Sequence, residues 1–399
     1  MRVALLTREY PPEIYGGAGV HVEYLSRELQ KLLDLRVYCF GDERPAAEVG
    51  AAFGWWDALG GSAPHLAALR TMAVNLQMTA ALEGAELVHT HTWYANFAGV
   101  LAQLDYGIPH VMTSHSLEPL RPWKEEQLGG GYRLSSFIER TAALSADRII
   151  AVSAGMKADI LTAYPGVDPN RVQVIYNGID TEEYTPLDGQ RALEAHGIDA
   201  KQPIALFVGR ITRQKGVVHL LEAAEYFDPS IQLVLCAGAP DTPEIEAEVA
   251  ELVRALSQKR PGVVWIRNML PRPEMVRLLS AASVLVCPSI YEPFGIVNVE
   301  AMGTGTAVVA SAVGGIVEVV VEGETGRLVH FEKDDSGTGA PRDRQKFARD
   351  FAARVNEVAT NPSLAQAMGK AGRARAVEKF SWSNIAVETA ELYRSLGRH

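Results

Sequence analysis

Short runs rich in Val, Ile and Leu recur along the whole chain, separated by longer segments with apolar residues at helical spacing. In the first half they fall at 3–7, 35–40, 87–90, 109–114, 148–152 and 172–175. In the second half they fall at 204–208, 232–237, 263–266, 284–287, 307–310 and 326–330. The runs are continuously apolar rather than alternating, the pattern of parallel strands covered by helices on both faces. Alternation of strand and helix over two comparable stretches predicts an α/β protein of two Rossmann-like, doubly wound domains facing a cleft. Ligands of open α/β sheets sit at the carboxyl ends of the strands, so the chemistry is sought in residues just after strands.

The predicted domains are 1–180 and 204–378, joined by a connector at 181–203 where apolar periodicity lapses between two strand signals. Residues 379–399 read as a terminal helix crossing back to the first domain, with Ile385, Val387, Leu392, Tyr393 and Leu396 at helical spacing. The polar stretch 332–344 reads as an exposed loop. A chain of 399 residues suits two or three domains, and 47% hydrophobic with 22% charged residues excludes wholesale disorder. A net charge of −10 gives no basic field for nucleic acid. Cys39, Cys236 and Cys287 each sit in an apolar run and read as buried free thiols of a reducing compartment. Neither VALLT before Arg8 and Glu9, nor the glycine-interrupted run between Glu300 and Glu318, reaches the length of a signal core or a membrane span. No membrane association and a cytoplasmic location are expected.

Four groups of residues carry chemistry. Gly16, Gly17 and Gly19 lie between the first strand and a helix expected from Val20, a setting that fits phosphate contact or a tight turn equally. Arg210 follows the first strand of the second half and Lys215 lies five residues on. Two cations at that position would neutralise a diphosphate, Arg as a planar fork and Lys as a point charge. In PSIYEPFGIVNVEAMGTG, Glu292 sits in a turn and Glu300 about two helical turns later. The helix start at Gly295, Ile296 and Val297 would offer N–H groups to phosphate while Glu300 accepts ribose hydroxyl protons. His115 and the pair His89 and His91 end strands, and Asn177-Gly178 forms a turn at the domain crossover. No third ligand at H-x-x-x-H spacing and no cysteine accompanies His89 and His91, so no metal centre is expected; His115 reads as a hydrogen-bond donor to sugar or phosphate, and His89 as a packed histidine.

The chain holds no D-x-D, no G-K-[ST] phosphate loop and no G-x-S-x-G elbow. With the glycine loop, G-R-x-x-x-x-K and E-x(7)-E in that order, it resembles the retaining glycosyltransferases of the GT-B fold over essentially its whole length. TREYPPEIYGGAGVH, HSLEPLRPWKEEQLGGGY, RITRQKGVVHL and FSW are similar to the actinobacterial type of glycogen synthase, a group that includes α-maltose-1-phosphate synthase. The resemblance implies ADP-glucose as donor and no cofactor, with Arg210 and Lys215 stabilising the departing phosphate and Gly17 with neighbouring N–H groups meeting the diphosphate. It further implies Glu292 on the hydroxyls of the transferred sugar, Glu300 on the ribose, His115 near the glucose 6-hydroxyl and Asn177 lining the sugar site. Starch-type synthases of this fold carry K-x-G-G, whereas Tyr15 stands before Gly16 here, which argues against that branch.

The acceptor is glucose 1-phosphate or an α-glucan on this reading. Arg121 or Lys124, beside Trp123, is the expected ligand of an acceptor phosphate, with an ordinary surface loop as the equal alternative. Rival readings are a UDP-sugar-dependent transferase with another acceptor such as inositol phosphate, a GT-B nucleotide-sugar epimerase, and a nucleotide-sugar sensor. Trp55 and Trp56 fit internal packing or a contact in a homodimer.

Overall fold

The computed structural model describes residues 1–397 except 15, 45, 122, 123 and 336, so Tyr15 and Trp123 lie outside the described residues. Contacts divide the chain into two units, residues 1–178 with 382–399, and residues 179–381. Each is an α/β layer structure around one parallel sheet. No helix among the described residues is long and apolar enough to cross a membrane.

The first sheet contains β1 (Arg2–Thr7), β2 (Asp34–Phe40), β3 (Val49–Phe53), β4 (Leu87–His91), β5 (His110–Ser114), β6 (Arg148–Ala151) and β7 (Val172–Val174), in the order β3-β2-β1-β4-β5-β6-β7. Successive residues of β1 serve opposite faces. Val3 and Leu5 pack with Trp382, Ile385 and Tyr393, while Ala4 and Leu6 pack with Val74, Met78, Ala95 and Ala98. The edge strand β3 has no apolar run to announce it. Gly50, Ala51 and Ala52 carry little side chain, and the Tyr38 ring lies so close over Gly50 that an added Cβ would fall 2.9 Å from it.

The second sheet contains β8 (Ile204–Arg210), β9 (Gln232–Gly238), β10 (Val263–Ile266), β11 (Val284–Cys287), β12 (Ala307–Ser311) and β13 (Gly326–Val329), in the order β10-β9-β8-β11-β12-β13. The strand order reverses between β1 and β4 in one sheet and between β8 and β11 in the other. These are the switch points where loops after the strands diverge and leave room for a ligand.

The segment 181–203 is not a free connector. It lies within the second unit, where the helix Gln190–Ala195 buries Ala192 and Leu193, Tyr184 is buried, and Gly189 abuts Ala281. Its polar composition conceals these few anchors. At the other end, the helix Trp382–Leu396 belongs to the first unit. The Trp382 ring stacks on Tyr24 at 6.0 Å and presses on Gly178, where a Cβ would lie 2.5 Å from the indole. Tyr393 OH and Thr113 Oγ1 hold the two ring nitrogens of His89 at 2.5 and 2.7 Å, so this histidine is a packed, fully hydrogen-bonded member of the core.

The segment after β5 is fixed by buried carboxyls. Glu118 N–H and Tyr164 OH both donate to Glu139 Oε1, Ser135 Oγ donates to Glu118 Oε2 at 2.6 Å, and Lys124 Nζ stands 3.9 Å from Glu118 Oε1. Burial, aided by the Glu118 carboxylate, pushes Glu139 up to about 8. A carboxyl whose folded pKa is raised stabilises the fold only while protonated, and that stability is lost as pH rises from the ordinary carboxyl range through 8. Glu139→Gln keeps the acceptor oxygen and removes the ionisation. The variant is expected to melt several degrees above the parent chain at pH 9 and close to it near pH 5, measured by thermal unfolding across pH.

Candidate active site

In the second unit, the loops beyond β8 and β11 meet at the switch point. Arg210 is the last residue of β8, and its Nη2 donates to Asp241 Oδ1 at 2.6 Å, which orients the guanidinium. Lys215 Nζ donates to Glu292 Oε2 at 2.6 Å, and Ser289 Oγ donates to the same oxygen at 3.2 Å. Burial opposes the Lys215 charge, but Glu292, aided by Cys287, more than offsets it and raises the pKa. The lysine is therefore a fixed cation at neutral pH. Asp241 was not singled out from the sequence; the turn after β9 is its only signal.

The turn that carries Glu292 is shaped by glycines. Gly295 has φ +95°, and a Cβ there would lie 2.5 Å from Asn298 Nδ2. Gly314 has φ +50°, and a Cβ on it would fall 2.0 Å from the Glu292 carbonyl oxygen, while Gly315 N–H donates to that oxygen at 2.9 Å. The loop after β12 thus clamps the Glu292 turn. Gly295 begins the helix Ile296–Gly303 without a side-chain cap, which leaves the helix start at Ile296 and Val297 suited to an anion. Within that helix, Glu300 accepts from Tyr184 OH at 2.8 Å, and burial raises its pKa. Tyr184 comes from the supposed connector, which explains why sequence spacing does not reveal it.

In the first unit, the helix Gly17–Leu29 begins at the glycine loop, earlier than Val20, and Gly16 is its capping residue. Glu9 packs against this turn. Gly16 N–H donates to Glu9 Oε2 at 2.8 Å, and a Cβ on Gly19 would fall 2.7 Å from the same oxygen. The Gly16 N–H expected for phosphate is therefore held by a carboxylate, and the need for glycine at 19 comes from Glu9.

His91 has imidazole neighbours that H-x-x-x-H spacing does not mark. His21, from the helix Gly17–Leu29, and His115, after β5, converge on His91 at the end of β4, so that one nitrogen from each ring lies within 4.8 Å of the other two. Spacing along the chain could not reveal this, because the three rings follow or end β1, β4 and β5, which are neighbours in the sheet while the rings themselves lie far apart in the sequence. His91 Nδ1 and His115 Nε2 are 3.0 Å apart. His21 Nδ1 donates to Asn177 Oδ1 at 2.6 Å, and its Nε2 is buried without a hydrogen-bond partner. Burial lowers His21 to about 4 and lowers His91 and His115 well below the ordinary imidazole value, with the neighbouring rings adding to the latter two. All three rings are neutral near pH 7.

Beside them, Tyr94 gathers cations. Arg8 lies 4.1 Å over its ring and Lys124 Nζ 5.6 Å, while Arg121 Nη1 donates to Ser116 Oγ at 2.9 Å. Burial raises the Tyr94 phenol, yet Lys124, Arg8 and Arg121 together lower its pKa against the opposing carboxylate of Glu118. Lys124 is buried, unlike a residue of an ordinary surface loop. Arg8 and Tyr94 are additions that only the fold supplies. Trp55 and Trp56 are exposed, with Arg70 lying 5.3 Å over the Trp55 ring.

Residues 15–183 match the family Glycosyltransferase Family 4, and residues 189–375 match Glycosyl transferases group 1. α-Maltose-1-phosphate synthases of Mycolicibacterium smegmatis and Mycobacterium tuberculosis are each 52% identical to this chain, over 99% of it and 100% of their own length. Sucrose-phosphate synthase from Thermosynechococcus elongatus superimposes with a TM-score of 0.79 over 99% of this chain and 98% of that one, at 24% identity. Two sheets with loops at both switch points, two matched transferase domains and full-length relatives agree: the chain belongs to the family 4/group 1 glycosyltransferases of GT-B fold and is a hexosyltransferase.

Proposed function

We propose that this enzyme moves glucose from ADP-glucose to glucose 1-phosphate with retention of configuration, forming α-maltose 1-phosphate for glycogen biosynthesis, and that it extends α-1,4-glucan ends as a second activity. The observation that carries the acceptor is the group of Arg8, Arg121 and Lys124 about Tyr94, three cations against one carboxylate at the carboxyl end of the first sheet. A neutral glucan end has no use for that charge, whereas a sugar phosphate does. Full-length identity to α-maltose-1-phosphate synthases supports the same acceptor. The ADP preference rests on whole-chain resemblance to glycogen synthases.

On this reading the second unit holds the donor. Arg210 and Lys215 face the diphosphate, joined by the Ile296 and Val297 helix start. Glu300 takes the ribose, Glu292 the hydroxyls of the transferred glucose, His115 the region of its 6-hydroxyl, and Asn177 the sugar site. The bond from glucose C1 to the leaving phosphate oxygen breaks while the bond from C1 to the acceptor hydroxyl oxygen forms on the same face. The acceptor proton passes to the departing phosphate. Negative charge grows on ADP as the bond opens, and preorganised cations stabilise it by several kcal/mol. Because Lys215 is already charged and aligned by Glu292, little reorganisation is needed when the charge appears.

Arg210→Ala and Lys215→Ala are each expected to lower kcat about 100-fold or more. Arg210→Ala should keep the melting temperature within a few degrees of the parent, whereas Lys215→Ala, which strands the buried Glu292 charge, should also lower it. Near-normal turnover in both would remove them from the leaving-group role. The reaction itself is read by incubating ADP-glucose and UDP-glucose with glucose 1-phosphate, inositol phosphate, a glucan, or nothing, and identifying products by mass. A disaccharide phosphate from ADP-glucose and glucose 1-phosphate is expected. Its KM for glucose 1-phosphate should rise about tenfold or more in Arg121→Ala, with the donor KM little changed. A product formed from donor alone would instead favour the epimerase, and glucan elongation without disaccharide phosphate would dismiss the phosphate acceptor.

A further inference from the structure

We propose that His21, His91 and His115 form a binding site for one borderline divalent transition-metal ion of the Zn²⁺ class, with Asn177 as the residue that positions His21. One nitrogen from each ring lies within 4.8 Å of the others, and tetrahedral coordination at ordinary Zn–N lengths needs neighbouring nitrogens about 3.4 Å apart. His91 Nδ1 and His115 Nε2, at 3.0 Å, stand close to that spacing and would part by about 0.4 Å around an ion. The His21 ring centroid stands 4.6 Å from that of His115 and 5.2 Å from that of His91.

The state of His21 fits. The amide oxygen of Asn177 accepts from His21 Nδ1–H, so the Nε2 lone pair of His21 is left open, buried and without a partner among the described residues. A hydrogen-bonded second nitrogen is the usual companion of a ligating imidazole. The cation would take the place of the proton between His91 and His115, which moves to the second nitrogen of the ring that gave it up, so all three rings ligate in the neutral form. Three imidazoles with no carboxylate in the set select Zn²⁺, Co²⁺, Ni²⁺ or Cu²⁺ over Mg²⁺, Mn²⁺ or Ca²⁺. His115 is partly exposed, which leaves a route of entry and a fourth position for water.

A cation here has a consequence for the transferase, which rests on the function proposed above. With its nitrogen bound to metal, His115 is withdrawn from the sugar, so the ion acts as an inhibitor and not as a cofactor.

The test uses the full chain, stripped with EDTA and titrated with Zn²⁺ against a chromophoric chelator, and with Co²⁺ followed by visible absorption, all without sugar or nucleotide. One ion per chain and the strong bands of tetrahedral Co²⁺ are expected. His21→Gln and His91→Gln should each weaken Zn²⁺ more than about 100-fold, and Asn177→Ala, which keeps all three rings, about 10- to 100-fold. The exposed His330→Gln should change nothing. The parent should be inhibited by Zn²⁺ and restored by EDTA, and His21→Gln should resist. No stoichiometric binding, binding unchanged in His21→Gln and His91→Gln, or equal loss in His330→Gln would overturn the site. Binding without sugar reads the site whatever the reaction is; a metal-free parent inactive with and without Zn²⁺ would count against the proposed reaction, and one that Zn²⁺ activates would overturn the inhibitory role.

Discussion

The pair formed by Lys215 and Glu292 organises the second unit. It joins the loop after β8 to the loop after β11 across the point where the strand order reverses, at 2.6 Å and largely out of water. A buried ion pair is costly to assemble and costly to break, because removal of either partner strands the other charge. The surroundings meet that cost with Ser289 on the carboxylate and with Gly295, Gly314 and Gly315, which let the Glu292 turn sit against the loop after β12. Gly216, at φ +66°, adds a contact so close that a Cβ would fall 2.1 Å from the Pro288 carbonyl oxygen. The backbone here is built around one fixed ammonium.

The first unit is organised differently. Its switch point between β1 and β4 holds neutral rings and a capped glycine turn rather than an ion pair, and its cations lie to the side around Tyr94. Chemistry is divided accordingly in the proposed reaction: the second unit supplies charge for a departing nucleotide, and the first supplies hydrogen-bonding rings for a hexose and cations for an acceptor phosphate. His89 shows how finely such roles are separated. It is two residues from His91 on the same strand, yet both its nitrogens are spent on Tyr393 and Thr113.

Strands buried on both faces are largely apolar, so β1, β8 and β11 are plain in the sequence, whereas β4 carries His89, Thr90 and His91 inside the sheet. Arg210, Lys215 and Glu292 were expected at or beyond strand ends for that reason, and they lie at the end of β8 and beyond β8 and β11. β3 was not legible, because Gly50 and two alanines hold the sheet edge by backbone pairing rather than by side-chain burial. Tyr184, Asp241 and His21 were missed for another reason: each acts through a partner distant in the chain, and nothing in local spacing encodes a meeting across the fold. Tyr393 was legible on a helix face, but Trp382 and the cluster of Tyr24, Gly178 and His89 that receives the helix were not.

The central claim is that fixed side-chain charge, held by Glu292 and Asp241, carries the departing nucleotide. Turnover of the parent chain after exhaustive chelation tests it most directly. The account predicts an undiminished rate in EDTA with no gain on adding Mg²⁺ or Mn²⁺; loss of activity that either ion restores would contradict it.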